Sequence, residues 1–205
     1  MNSNQTEDVL KVHLKSKDCE MSENPPPPNN ILSKEQISKI LKYLSSNYDH
    51  KLWIQVLFSM GLHLSEFIEI KVRDIDLHKR KMIVTSKGRA KVRELMIPNR
   101  LLPDLQREMS GKSESELLFT GNRGKLHTRT IQKVFEKIKR DLSIPISNYY
   151  LRNSLAYYLM KEGWDDRSIS RFLGCSLFYT RKMLKKFSQK FHRPHPLDSF
   201  LEEKS

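Results

Sequence analysis

The chain has 205 residues, 38% hydrophobic and 30% charged, a composition that suits one globular domain with a sizeable core. No apolar run approaches the roughly 18 residues of a membrane span, and Asn2, Asn4, Glu7 and Asp8 stand where a secretory leader would be basic and then apolar. The net charge is +13, and because residues 1–30 carry three lysines against five acids, the remainder holds +15, a basic body that points to a polyanionic partner, nucleic acid above all.

Residues 1–30 end in Pro25-Pro26-Pro27-Pro28-Asn29-Asn30. Four successive prolines remove four backbone donors and favour an extended form, so the segment reads as an arm or linker. Order is expected from Ile31. Ser33 with Gln36 three residues on forms a capping box, and Ile37, Ile40, Leu41 and Leu44 recur at helical spacing. A second helix is expected through Leu52–Met60, stopped near Gly61, and a shorter third from Ser65 to Lys71. Lys81–Thr85 and Glu94–Ile97 predict a strand pair, joined by the basic turn Ser86-Lys87-Gly88-Arg89-Ala90-Lys91 and closed by Pro98.

Beyond the hairpin the pattern turns helical again. Pro103–Met109 is one segment, and the apolar run Leu117-Leu118-Phe119 suggests a small strand. Thr128–Leu142 is strongly amphipathic, with Ile131, Val134, Phe135 and Ile138 on one face. Further helices are expected over Tyr150–Gly163, from Asp165-Asp166 through Ile169–Leu173 to a stop at Gly174, and over Phe178–Phe187. The fold class is therefore mainly α with a small antiparallel β-sheet, in one domain over residues 31–190, followed by a tail at 191–205.

Cations crowd the hairpin turn and the last helices. Lys87, Arg89, Lys91, Arg129, Lys133, Arg171, Arg181 and Lys182 are the candidates for phosphate contact. The two cysteines, Cys19 and Cys175, lie far apart and form no metal-ligand pair, so no metal and no cofactor is expected. A reducing cytoplasm is the simplest setting.

Three segments, in order, resemble the catalytic domain of the tyrosine recombinases, the phage integrase family. Met60-Gly61-Leu62-His63-Leu64-Ser65-Glu66 is similar to the family's Gly-Leu-Arg-x-Ser-Glu, with Asp74-Ile75-Asp76 after it. Ser86-Lys87-Gly88 is similar to its hairpin turn, and Ile97-Pro98 to the end of its return strand. Tyr149-Tyr150-Leu151-Arg152-Asn153 is similar to its His-x-Leu-Arg-His helix, and Leu173-Gly174-Cys175-Ser176 to its Leu-Gly-His-Ser turn.

The resemblance covers about residues 31–187 and implies duplex DNA as partner. It also implies metal-free phosphodiester transfer, in which a tyrosine attacks the phosphate while arginines and histidines hold the phosphoryl oxygens and a hairpin lysine serves the leaving oxygen. Carried over residue by residue, Glu66, Arg152 and Lys87 are retained, with Lys91 as a rival to Lys87. Four family positions are substituted. The first arginine falls on His63, the first histidine on Tyr149 and the turn histidine on Cys175. The nucleophilic tyrosine, nine residues later, falls on Leu184. Leucine has no nucleophile, so the resemblance implies a DNA-binding protein impaired in strand cleavage. The alternatives are an active recombinase using a displaced residue such as Tyr179, and an interaction module that partners a true recombinase. Apart from the family, Arg152 could form a salt bridge with Glu66, and Cys175 could be a small buried hydrophobe. Family members usually carry a preceding helical domain that completes a clamp on the duplex, so a body beginning at Ile31 should grip DNA more weakly. Docking on a homologous recombinase or a second copy is a further expectation from the family.

Overall fold

The computed structural model describes residues 29–86, 92–121 and 124–188. Its elements follow the expected order. Helix α1 spans Lys34–Tyr43, and its capping box forms as the sequence predicts: Gln36 N donates to Ser33 Oγ at 3.1 Å and Ser33 N to Gln36 Oε1 at 2.9 Å. Helix α2 spans Tyr48–Met60, one turn longer at its start than the apolar pattern suggests, because Asn47 caps it by accepting from His50 N. Gly61 ends α2 in the left-handed region, at φ 58°, where glycine has no Cβ penalty.

The third helix is shorter than expected. Helix α3 covers only Leu64–Phe67, because the following backbone is taken up elsewhere. Leu118 N donates to Ile70 O at 2.8 Å, and Val72 N to Glu116 O at 3.0 Å. The expected strand at 117–119 is correspondingly no strand. Leu117 makes a single bridge to Lys71, while Leu118 and Phe119 are fully buried and Phe119 stacks on Phe67 with ring centroids 4.3 Å apart.

A three-stranded antiparallel sheet follows, in the order β1 (Ile75–Asp76), β2 (Lys81–Thr85), β3 (Val92–Met96). Val84 pairs with Arg93 and Met82 with Leu95. Alternation therefore puts Met82, Val84, Arg93 and Leu95 on the same inward face. Three of these are the apolar residues such a face requires; the fourth is an arginine. The turn at 87–91, with Lys87, Arg89 and Lys91, lies outside the described residues.

Helix α4 spans Leu102–Met109, and the short pair β4 (Thr120–Gly121) and β5 (Gly124–Lys125) precedes α5 (Thr128–Leu142). The chain then runs through α6 (Asn148–Lys161), α7 (Asp166–Leu173) and α8 (Leu177–Ser188). No helix among the described residues is long and apolar enough to cross a membrane.

Helix α6 is the pivot of the packing. Its residues 151–157 are buried without a break, so it has no solvated stripe over that stretch. Leu151 belongs to the main core with α1, α2, the sheet and α5. One turn on, Leu155 and Ala156 belong to a second cluster with Ile169 and Leu173 of α7 and Met183, Leu184 and Phe187 of α8. Two polar side chains of α6 are satisfied in this packing: Ser154 Oγ accepts from Leu32 N at 2.8 Å and donates to Tyr150 O at 2.7 Å, and Tyr158 donates to Leu32 O at 2.9 Å. The start of the folded body is thereby sewn to α6.

Candidate functional site

The ends of four elements meet at one place. The start of α3, the tip of β2, the first turn of α6 and the α7–α8 turn enclose a cleft of about 540 Å3. His63, Glu66, Tyr149, Arg152 and Cys175, drawn from three separate segments of the sequence, all line it. Ser86, Asn148, Asn153, Tyr179 and Met183 join them on its walls.

Glu66 is the best-anchored acid of the cleft. It lies in the first turn of α3, where its Oε2 accepts from His63 N at 2.9 Å. Arg93 reaches over from β3 and grips both carboxylate oxygens, Nη1 to Oε1 at 2.7 Å and Nη2 to Oε2 at 2.8 Å. Ser86 Oγ adds a bond to Oε1 at 2.6 Å. Burial alone pushes the Glu66 carboxyl up; the bonds from Arg93, Ser86 and the His63 backbone outweigh it and hold the pKa at about 2. The expected Glu66–Arg152 salt bridge is therefore corrected: Glu66 takes its guanidinium from β3 instead.

Arg152 turns to backbone carbonyls. Its side chain is buried on α6, with Nη1 donating to Gly61 O and Nη2 to Leu173 O at 2.9 Å. Both acceptors sit at helix C-termini, α2 and α7, where the orphan carbonyls carry partial negative charge and favour a cation. Arg93 Nε donates to Phe172 O at 3.1 Å, so two arginines hold successive carbonyls at the end of α7. Gly174 is required by this packing. A Cβ there would stand 2.7 Å from Arg93 Nη1 and 2.9 Å from its Cζ, and the residue lies at φ 65°.

His63 faces the cleft from the start of α3. Desolvation by the surrounding walls, and then the Arg152 charge, push its imidazole pKa down, which favours the neutral ring. Asn148, at the first position of α6, has its Oδ1 buried with no hydrogen-bond partner among the described residues. Cys175 meets the hydrophobic reading in part. It is only partly buried, packs against the second core cluster, lines the cleft, and sets its Sγ 3.1 Å from Thr180 Oγ1.

Helix α8 serves both the cleft and the core. Tyr179 and Met183, four residues apart, line the cleft, and Met183 also packs in the second hydrophobic cluster. Thr180, Leu184 and Phe187 follow the adjacent stripe into the protein, and Leu184 is part of the same cluster. Tyr179 is 45% exposed. Its phenol pKa is raised by partial burial and by Tyr149, and Arg152 opposes the shift.

The other candidate cations lie elsewhere. Arg129 and Lys133 are exposed on α5, with Arg129 paired to Glu136 at 3.0 Å. Arg171 is exposed on α7, and Arg181 pairs with Asp166 at 2.5 Å. None of the four lines the cleft. Lys182 lies on a neighbouring groove that shares Tyr149, Asn153, Tyr179 and Met183 with it. The residue that sequence reasoning passes over is Arg93. Its signal is register: it shares the inward parity of Leu95 on β3, and an inward arginine needs an acid.

Residues 30–178 match the model of the phage integrase family. The tyrosine recombinase XerA of Pyrococcus furiosus is 25% identical over 211 residues, spanning 94% of this chain and 74% of that protein. Among solved structures, the crystal structure of XerA recombinase superposes with a TM-score of 0.68 at 22% identity, over 83% of this chain and 68% of that one. The integrase of the Tn1549 transposon, solved in complex with transposon right-end DNA, superposes with a TM-score of 0.64 at 16% identity, over 88% of this chain and 67% of that one. The expected fold, mainly helical with a small antiparallel sheet, is the fold of these recombinases, and the chain belongs to the phage integrase family.

Proposed function

We propose that this chain is a DNA-binding domain of the tyrosine recombinase type, acting in recombination or integration, that grips duplex phosphate but is impaired in strand cleavage. The observation that carries this reading is the division of α8. Leu184, the position the family resemblance assigns to the nucleophile, is packed in the second core cluster, while the cleft retains Arg152 and Glu66 and holds His63 where the family carries its first arginine.

The cleft suits a phosphate. Arg152 presents a cation that stays charged at any physiological pH, and the two backbone carbonyls occupy two of its five N–H donors. The first turn of α6 opens onto the same space, where unsatisfied backbone N–H groups favour an anion. A half-turn of the Asn148 amide would bring its NH2 to the position now held by the unpartnered Oδ1 and add a donor. In this reading Tyr149 and Cys175 fill the substituted histidine positions without acid–base work. Lys87, Arg89 and Lys91 would meet the DNA from the hairpin turn, and Lys182 from the neighbouring groove. Arg129, Lys133, Arg171 and Arg181 contribute to the general basic field, not to the cleft. Duplex DNA is the partner, as in the Tn1549 integrase complex.

A second reading is favoured by one observation, the presence of Tyr179 on the cleft wall. Attack of its oxygen on phosphorus would form a 3′-phosphotyrosine bond, break the bond to the 5′ oxygen and need a proton for that leaving group. The raised pKa of Tyr179 works against it, since the attacking form is the phenolate. A nicked suicide duplex distinguishes the two. The first reading expects salt-sensitive retardation of duplex DNA, with affinity falling by about 0.9 log unit per log unit of salt for each phosphate contact, and no covalent adduct. An adduct that vanishes in Tyr179→Phe establishes the second. No retardation at low salt removes both and leaves a module that binds protein.

A further inference from the structure

Arg93 is outside every motif that ties the chain to its family, yet it is the most heavily bonded cation at the cleft. Its guanidinium makes a two-point grip on Glu66, a third bond at 3.3 Å to Ser86 Oγ and a fourth to Phe172 O. It is held against Gly174, where a Cβ would push the guanidinium from its place. Its side chain is 10% exposed, so it braces the cleft wall from behind and does not line it.

Charge balance gives this position a consequence. Glu66 and Arg152 face one cleft, one carboxylate and one guanidinium, and on their own they would cancel. Arg152 senses both Glu66 and Arg93 electrostatically, as does His63. With Arg93 locked on Glu66, the positive charge that remains among the described residues lining the cleft is that of Arg152. The same grip on Phe172 O and Gly174 fixes the end of α7 whose Leu173 carbonyl aims the Arg152 fork.

We propose that Arg93 is a positioning residue of the cleft: it neutralises Glu66 and pins the end of α7, so that Arg152 is free to hold a DNA phosphate. This rests on the proposed DNA-binding function for its ligand, but its electrostatic core is independent of DNA.

The test uses the full chain, wild type, Arg93→Gln, Arg93→Lys, and the pair Arg93→Gln with Glu66→Gln. Two quantities are read: duplex DNA affinity at low salt, and the ring titration of His63 by NMR. Arg93→Gln is expected to weaken DNA binding about 30-fold, as for loss of one member of a buried charge pair, and to raise the His63 pKa by exposing it to an uncancelled carboxylate. The double variant removes that carboxylate while the glutamine introduced by Glu66→Gln still caps α3, so affinity should return to within about fivefold and the His63 titration should move back. Arg93→Lys keeps the charge but loses the two-point grip, so its affinity should fall between those of the wild type and Arg93→Gln. A purely structural role predicts lower stability, unchanged affinity of the folded protein and no rescue, and that result overturns the proposal. Should Arg93→Gln fail to fold, the double variant decides: the proposal requires it to bind near the wild-type level. Should the wild type bind no duplex at all, the DNA-binding function falls, and the His63 titration alone decides whether Arg93 balances Glu66.

Discussion

The wall of the cleft built by Glu66, Arg93 and Arg152 and the wall built by α8 differ in how they treat polarity. In the first, every charged group is bonded, Glu66 and Arg152 are buried and Arg93 is largely so: the Glu66 carboxylate accepts from Arg93, Ser86 and the His63 backbone, and Arg152 donates to two carbonyls. In the second, the face turned to the cleft is one half-exposed phenol and a thioether, and the stripe behind it is hydrophobic packing. In the proposed function, phosphate holding would draw on the fixed charge of the first wall, while Leu184, which the family resemblance aligns with the nucleophile, lies in the hydrophobic cluster.

The sharpest way to break the comparison is to strand the buried acid. Arg93→Met should destabilise the fold by about 3–5 kcal/mol, since it leaves the Glu66 carboxylate without its partner, and chemical denaturation measures it. Acid should act on the same wall. The carboxyl of Glu66 is depressed from 4.5 to about 2, so its contribution is whole above pH 4.5 and is lost as pH falls towards 2, on the order of 3 kcal/mol. Denaturation midpoints between pH 6 and pH 2 should decline less steeply in Glu66→Gln than in the wild type; parallel declines would place the acid sensitivity elsewhere.

On the α8 wall, Leu184→Ala should cost about 2–4 kcal/mol, the usual toll of a cavity in a packed cluster, with DNA affinity of the folded protein nearly unchanged. A large affinity loss at full stability would show that the leucine serves the cleft after all. Gly174→Ala should cost about 1–2 kcal/mol, from the left-handed backbone and the crowding of Arg93, and thermal melting would register it. Tyr179→Phe is the smallest change expected, within about 0.5 kcal/mol, because only a partly exposed hydroxyl is removed.

Much of the fold is legible in the sequence because its signals are local. The Ser33–Gln36 box, the amphipathic stripe of Thr128–Leu142 and the stop at Gly174 each depend on residues within a turn or two of one another, and each forms as the pattern predicts. Where distant partners set a segment's fate, the local pattern misleads. The α3 helix stops early because residues 70–72 pair with residues 116–118, and the 117–119 run is buried loop for the same reason. At the site, the motif positions His63, Glu66, Tyr149, Arg152 and Cys175 are visible in the sequence and do share one cleft. Their partners are not visible. The motifs bring Arg152 and Glu66 to one site, but they carry no measure of which guanidinium lies nearer the acid.

Local chemistry and periodicity determined by themselves that this chain folds as helices around a small hairpin sheet, that its body is basic, and that position 184 holds no nucleophile. Tertiary packing alone decided that Leu184 faces the core while Tyr179 faces the cleft, and that Arg93 from β3 satisfies Glu66 from α3, 27 residues earlier. The physical reason is the same in both cases. A buried charge must be paired and an apolar face must be covered, but which group does either is fixed only when separate elements are brought together.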